Sequence, residues 1–139
     1  MMKPTAQVLL IATILLSGCV SHELDQFTGP GSIIIQNNSG VDLKRVTLSG
    51  VRADRGERVG FGSVSPILKG YSHQIRRTNR VSPLPKEGEV SWVNFRGQSF
   101  NKLVSLEKVL RTSTNSPEEA LVFEINAHGN IRVYLKRSN

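Results

Sequence analysis

The chain has 139 residues, the length of one domain, and carries 18 Lys and Arg against 11 Asp and Glu, a net charge of +7. Its 38% hydrophobic residues are enough for a modest core, so the composition excludes a largely disordered chain. A single cysteine excludes an internal disulfide, and the three histidines are too widely spaced for a zinc site. The sequence therefore predicts no metal and no cofactor.

The first 18 residues have the pattern of a secretory signal peptide. Lys3 makes the start of the chain positive, and the apolar run VLLIATILL follows over residues 8–16. This run is too short for a transmembrane helix, which takes about 20 residues. The segment is therefore expected to direct export and to be removed.

The residues Leu16-Ser17-Gly18-Cys19 end this segment and resemble the lipobox of bacterial lipoproteins. The resemblance implies a diacylglyceryl group on the Cys19 thiol, cleavage between Gly18 and Cys19, and acylation of the new amino group. Two or three acyl chains anchor a protein stably, whereas one chain binds only marginally. The alternative is an ordinary secretory signal that is cut a few residues later and leaves a free cysteine.

Val20 follows the expected lipidated cysteine. In enteric-type lipoproteins an Asp at this position causes retention in the inner membrane. Val20 therefore implies an outer-membrane lipoprotein that faces the periplasm, provided that the cell has two membranes. Residues 19–32 are expected to form a flexible tether, because GPGS at 29–32 interrupts regular structure. The folded domain is expected over residues 33–139.

The first half of the domain contains short, β-branched segments. SIIIQNN at 32–38 and VDLKRVTLSG at 41–50 are joined by turn residues, which predicts a β-hairpin. The apolar residues shift from odd-numbered to even-numbered positions at residues 44–46, which indicates a β-bulge. Further on, YSHQI at 71–75 alternates as a strand, whereas the prolines of VSPLP at 81–85 exclude a central strand.

The second half predicts two more hairpins. Apolar and polar residues alternate in EVSWVNF at 89–95, and the chain is predicted to return as a second strand through SFNKLVS at 99–105. Residues 103–110 fit either a strand or a short helix, and a strand is favoured for the first half of this stretch. The final hairpin places six apolar residues on one face: Leu121, Phe123, Ile125, Ile131, Val133 and Leu135.

This pattern of six to eight short strands without a long amphipathic helix predicts an all-β fold. A small antiparallel β-sandwich, Ig-like or related, is the expected architecture. A small barrel is the alternative that the pattern leaves open.

Catalytic groups are sparse. His73 or His128 could form an acyl-transfer triad with an aspartate and a serine, but no Gly-x-Ser-x-Gly spacing accompanies them. Glu118 and Glu119 lie in a loop and are expected to be solvated rather than to form a glycosidase pair. GERVGFG at 56–62 lacks the Lys and Ser or Thr of a phosphate-binding loop. The sequence therefore predicts a protein that is not an enzyme.

The basic residues give a clearer indication of a ligand, because arginine can bind phosphate and carboxylate in a bidentate way. The candidates for contact with an anion or a partner are Arg52, Arg55, Arg58, Arg76, Arg77 and Arg80. Export argues against nucleic acid as the ligand and favours lipid phosphates, peptidoglycan carboxylates or acidic proteins. The alternative is a solvated basic face that has no ligand.

Three functions are compatible with these features. The first is a lipid-anchored, non-catalytic envelope protein that binds a partner, with Trp92, Phe95 and Tyr134 as further candidate contacts. The second is an immunity or inhibitor lipoprotein directed against a periplasmic toxin or a cell-wall enzyme, which a neighbouring effector gene would favour. The third, an envelope hydrolase, has the weakest support.

Overall fold

The computed structural model describes residues 28–51, 56–78, 80 and 83–137. Within them lie eight strands: β1 Ser32–Asn38, β2 Leu43–Val51, β3 Arg58–Val64, β4 Ser72–Arg76, β5 Glu87–Asn94, β6 Ser99–Ser105, β7 Glu119–Asn126 and β8 Ile131–Arg137. A four-residue helix, α1, covers Glu107–Leu110, and a 3-10 turn covers Ala127–Gly129. No helix in these residues is long and apolar enough to cross a membrane.

The strands form two four-stranded sheets. One sheet has the order β4–β1–β7–β8, and the other has the order β3–β2–β5–β6. Five of the six strand pairings are antiparallel, while β1 runs parallel to β7. The predicted small all-β sandwich is therefore confirmed, and the strands divide into two separate sheets rather than closing into one barrel.

The core lies between the sheets, because alternate side chains of a strand point to the same face. The four central strands supply most of its buried side chains: Ile33, Ile35, Val46, Leu48, Val90, Trp92, Leu121, Phe123 and Ile125. Phe61 of β3 lies tilted against Phe123 of β7, with ring centroids 6.0 Å apart, and so connects the two sheets. The two sheets are therefore in contact at the edge strand β3.

The two hairpins predicted in the second half are confirmed, whereas the prediction that Glu119 is solvated in a loop is wrong, because Glu119 is buried at the start of β7. In the last hairpin Leu121 pairs with Leu135, Phe123 with Val133, and Ile125 with Ile131. The preceding hairpin is the pair β5–β6, and its second strand ends at Ser105 before the short helix α1. Residues 72–76 also form the predicted strand, and the register of β2 shifts between Leu43 and Arg45, where a bulge was expected.

The predicted hairpin of β1 with β2 is wrong. β1 pairs with β4 and β7, whereas β2 pairs with β3 and β5 in the opposite sheet. The chain crosses between the sheets at residues 39–42, where the buried Asn37 side chain donates to the carbonyl oxygens of Val41 and Ile67. The turn residues are therefore used for a crossing between layers instead of a tight hairpin.

These pairings give the sandwich two distinct ends. The N-terminal end carries Thr28–Gly31, where the described chain begins, together with residues 77, 78, 80 and 83–86 and the segment 106–118. The distal end is formed by the connections 39–42, 65–71, 95–98 and 127–130. A seven-residue strand spans about 23 Å, so the two ends are separated by roughly that distance.

Candidate functional site

Arg77, one of the candidate contact arginines, lies at the N-terminal end. Its Nη1 donates to the carbonyl oxygens of Thr28 and Pro30, at 2.8 and 2.9 Å. Burial, and then the neighbouring Arg80 charge, lower the pKa of Arg77 from its usual value. The guanidinium group is thus held on backbone oxygens of the last residues of the expected tether.

Arg80 has a similar position. Its Nη2 donates to the carbonyl oxygens of Gly29, at 3.1 Å, and of Asn115. In return the Arg80 carbonyl oxygen accepts a hydrogen bond from the backbone N–H of Thr28, at 2.8 Å. Arg77 and Arg80 together fasten residues 28–30 to the sandwich.

The other candidate arginines are dispersed. Arg58 forms an ion pair with Glu89 at 2.8 Å, and the hydrogen bond from Arg58 is the largest of the effects that lower the pKa of Glu89. Arg76 is exposed at the end of β4. Four predicted site residues lie outside the described residues: Gly18, Cys19, Arg52 and Arg55. Of the described candidates, Arg76 and Arg77 line one groove, whereas Arg58 is paired with Glu89.

Replacing Arg77 with methionine is expected to lower the free energy of unfolding by about 2 kcal/mol, because charged hydrogen bonds to two carbonyls are lost while the aliphatic stem is kept. Arg76→Met is the matched control, since Arg76 is the exposed neighbour, and should change stability by less than about 0.5 kcal/mol. Urea denaturation of both variants measures the difference. Equal effects would contradict the structural role of Arg77.

The three aromatic residues expected to contact a partner have different surroundings. Trp92 is 6% exposed and stacks on Phe100 with ring centroids 5.6 Å apart, so most of its side chain belongs to the core. Tyr134 is half-buried beneath Arg132, whose guanidinium carbon lies 4.7 Å from the ring centroid. Phe95, by contrast, is 61% exposed at the distal end.

Large exposed hydrophobic side chains cluster at the distal end. Four of the seven in the described part of the chain lie in three of its loops: Val41, Leu68, Tyr71 and Phe95. Monomeric proteins rarely expose apolar groups together without a function for them. We call these four residues, with the intervening Lys69 and the adjacent Arg96, the distal surface.

Asn37 holds two of the distal loops together. It is fully buried at the end of β1, and its Nδ2 donates to the carbonyl oxygens of Val41, at 2.8 Å, and Ile67, at 3.0 Å. Its Oδ1 accepts from the N–H and the hydroxyl of Ser39, at 3.1 and 2.5 Å. All four hydrogen-bonding positions of the amide are therefore occupied.

Asn94 has the same role in the third loop. Its Oδ1 accepts from the N–H groups of Arg96 and Gln98, at 3.0 and 3.1 Å, which fixes the turn that carries Phe95. Both asparagines were missed as site residues. Their presence beside Gly and Ser signals a turn, but the sequence does not indicate that they are buried.

The distal surface contains a groove of about 400 Å³. Val41 and Phe95 line it from different loops, and Lys69 and Arg96 add two positive charges. Asp42, which also lines the groove, accepts a hydrogen bond from the backbone N–H of Lys69 at 2.9 Å. The arrangement can contact an apolar side chain and bind anionic groups around it.

The described residues contain no group of three or more His, Cys, Asp or Glu side chains that could hold a metal ion. His128, considered for a triad, lies in the turn before β8 with a φ of 66°, a conformation that few residues adopt outside turns. No family model, curated protein or solved structure matches this chain.

Proposed function

We propose that this protein is a lipid-anchored, non-catalytic binding module of the bacterial cell envelope. In this proposal Cys19 carries the acyl chains, the outer membrane holds them, and the domain faces the periplasm. The distal surface is the part that contacts a partner. The protein brings this surface to the envelope and carries out no reaction.

The lipobox-like residues 16–19 support the anchor. A positive start, an apolar run, small residues before the cut and one cysteine directly after it coincide here. About 0.8 kcal/mol per buried methylene makes two or three acyl chains a stable anchor. The chain uses cysteine nowhere else, which agrees with a lipid attachment site.

The position of the exposed hydrophobic groups is the observation that carries the binding function. The described chain begins at Thr28, at the N-terminal end of the sandwich, and Thr28 lies nine positions after Cys19. The distal surface lies about 23 Å away, at the other end of the strands. An anchored domain would therefore direct Val41, Leu68, Tyr71 and Phe95 away from the membrane, where a periplasmic partner can reach them.

The anchor is tested with Cys19→Ser. The variant is expected to lose labelling by radioactive palmitate and to leave the membrane fraction, because no acyl chain can be attached to serine. Ser17→Ala is the matched control, since it keeps a small residue in the lipobox and should leave both labelling and fractionation unchanged. A Cys19→Ser protein that stays with the membranes would refute the anchor.

The same fractionation tests the choice of membrane. In an enteric host the wild-type protein is expected in the outer membrane, and Val20→Asp is expected to shift it to the inner membrane. Wild-type protein in the inner membrane would contradict the outer-membrane assignment.

A further inference from the structure

The distal end has an excess of positive charge. Lys44, Arg45, Lys69 and Arg96 are all exposed in or beside its loops, and none forms an ion pair with another described residue. The one carboxylate in these loops is Asp42, and its Oδ1 accepts from the backbone of Lys69. Two of these cations, Lys69 and Arg96, line one groove together with Asp42.

Elsewhere in the described chain, several exposed cations do have acidic partners. Arg111 pairs with Glu107 at 2.8 Å, Lys86 approaches the same carboxylate at 4.0 Å, and Arg58 pairs with Glu89. Other exposed cations, among them Lys102 and Lys108, also have no ion pair with a described residue, so the distal end is distinguished by cations that line a groove together with exposed apolar side chains. Clustered like charges favour an anionic partner.

The exposed apolar residues indicate which class of anionic partner the distal surface would bind. Val41 and Phe95 both line the groove, and aromatic residues such as phenylalanine are enriched in the interfaces between proteins. A carboxylated glycan would neutralise the cations but offers no large apolar group for these side chains. An acidic protein surface supplies both carboxylates for the cations and a large apolar side chain for Val41 and Phe95.

Distance argues against the lipids of the anchoring membrane. The distal cations lie about 23 Å from the N-terminal end, whereas electrostatic interactions are screened over about 8 Å at physiological salt. Head groups beneath the N-terminal end would therefore have little effect on Lys69 and Arg96.

We infer that the distal surface docks a protein that presents acidic residues around an exposed apolar side chain. This inference rests on the proposed function and adds the chemistry of the partner. Lys69 and Arg96 bind the carboxylates, while Phe95 and Val41 contact the apolar side chain. Lys44 and Arg45 extend the positive surface along the start of β2.

The test uses the lipidated full chain in its native host, with p-benzoylphenylalanine in place of Phe95. Irradiation is expected to give a protease-sensitive adduct, and mass spectrometry should locate the cross-link in an acidic surface of the partner. Lys69→Glu combined with Arg96→Glu should reduce the adduct at least tenfold. Lysine substitutions at the contacted acidic residues of the partner should then restore it.

The matched control reverses two exposed cations away from the distal surface, Lys108→Glu with Lys136→Glu, and should leave the adduct unchanged. Thermal unfolding of both double variants checks that each is folded. An adduct with lipid or peptidoglycan, an adduct insensitive to the charges of Lys69 and Arg96, or no adduct would overturn the inference. Fractionation of the same cells separates this failure from loss of the anchor, which would overturn the proposed function instead.

Discussion

Replacing Asn37 with alanine is expected to lower the free energy of unfolding by about 3 kcal/mol. The change removes the Asn37 donors from the carbonyl oxygens of Val41 and Ile67 and removes the acceptor of the Ser39 backbone N–H, while the Ser39 hydroxyl keeps Val41 as an acceptor. A buried group that is left unsatisfied by the loss of a hydrogen-bond partner costs about 1–3 kcal/mol. Asn37 is fully buried, so water cannot replace these bonds without a rearrangement of the loops.

The adjacent Asn38 provides the control. It is exposed, and its side chain accepts one long hydrogen bond from Gln36, at 3.4 Å. Asn38→Ala should therefore change stability by less than about 0.5 kcal/mol. Urea denaturation gives both free energies, and similar values for the two variants would refute the idea that Asn37 organises the distal loops.

Gly31→Ala is expected to lower the free energy of unfolding by about 2–4 kcal/mol. A methyl group at this position would lie 2.5 Å from the Cα of Pro117 and closer still to its carbonyl oxygen. Backbone atoms cannot rotate away as a side chain can. Two backbone hydrogen bonds of 2.9 Å also fix Gly31. Its N–H donates to the Glu119 carbonyl oxygen, and its carbonyl oxygen accepts from the backbone N–H of Arg77.

Gly60→Ala separates this clash from the general effect of replacing a glycine. The nearest atom to a methyl group at Gly60 is the Leu48 carbonyl oxygen at 3.8 Å, an ordinary contact. Replacing a strand glycine that has no positive φ with alanine should raise the free energy of unfolding by up to about 1 kcal/mol. If calorimetry shows that Gly31→Ala unfolds at the wild-type temperature, the close contact with Pro117 does not constrain the fold.

The predicted elements that proved correct depend on local periodicity. The hairpin β7–β8 follows from alternation on both sides of a turn, and the pairs Leu121–Leu135 and Phe123–Val133 follow directly from that alternation. The hairpin of β1 with β2 proved wrong, because turn residues do not specify whether the chain stays in its sheet or crosses to the other one. Burial of Asn37 decides this, and burial depends on the second sheet.

The candidate site was only partly predictable. Phe95 was named from its aromatic character, and it does lie on the distal surface. The arginines at 77 and 80 were grouped with their neighbours by sequence, yet their guanidinium groups bind carbonyl oxygens of residues 28–30, about fifty positions away. The sequence shows that an arginine is present but does not show which oxygen it will meet.

By itself the sequence established the β-strand periodicity, the charge and the lipobox-like pattern, because each is a property of neighbouring residues. The tertiary structure alone decided that loops near residues 41, 69 and 95 form one surface at the distal end. These loops are separated by about thirty residues along the chain. They meet because their strands pack into two sheets around a common core, and no local pattern encodes that packing.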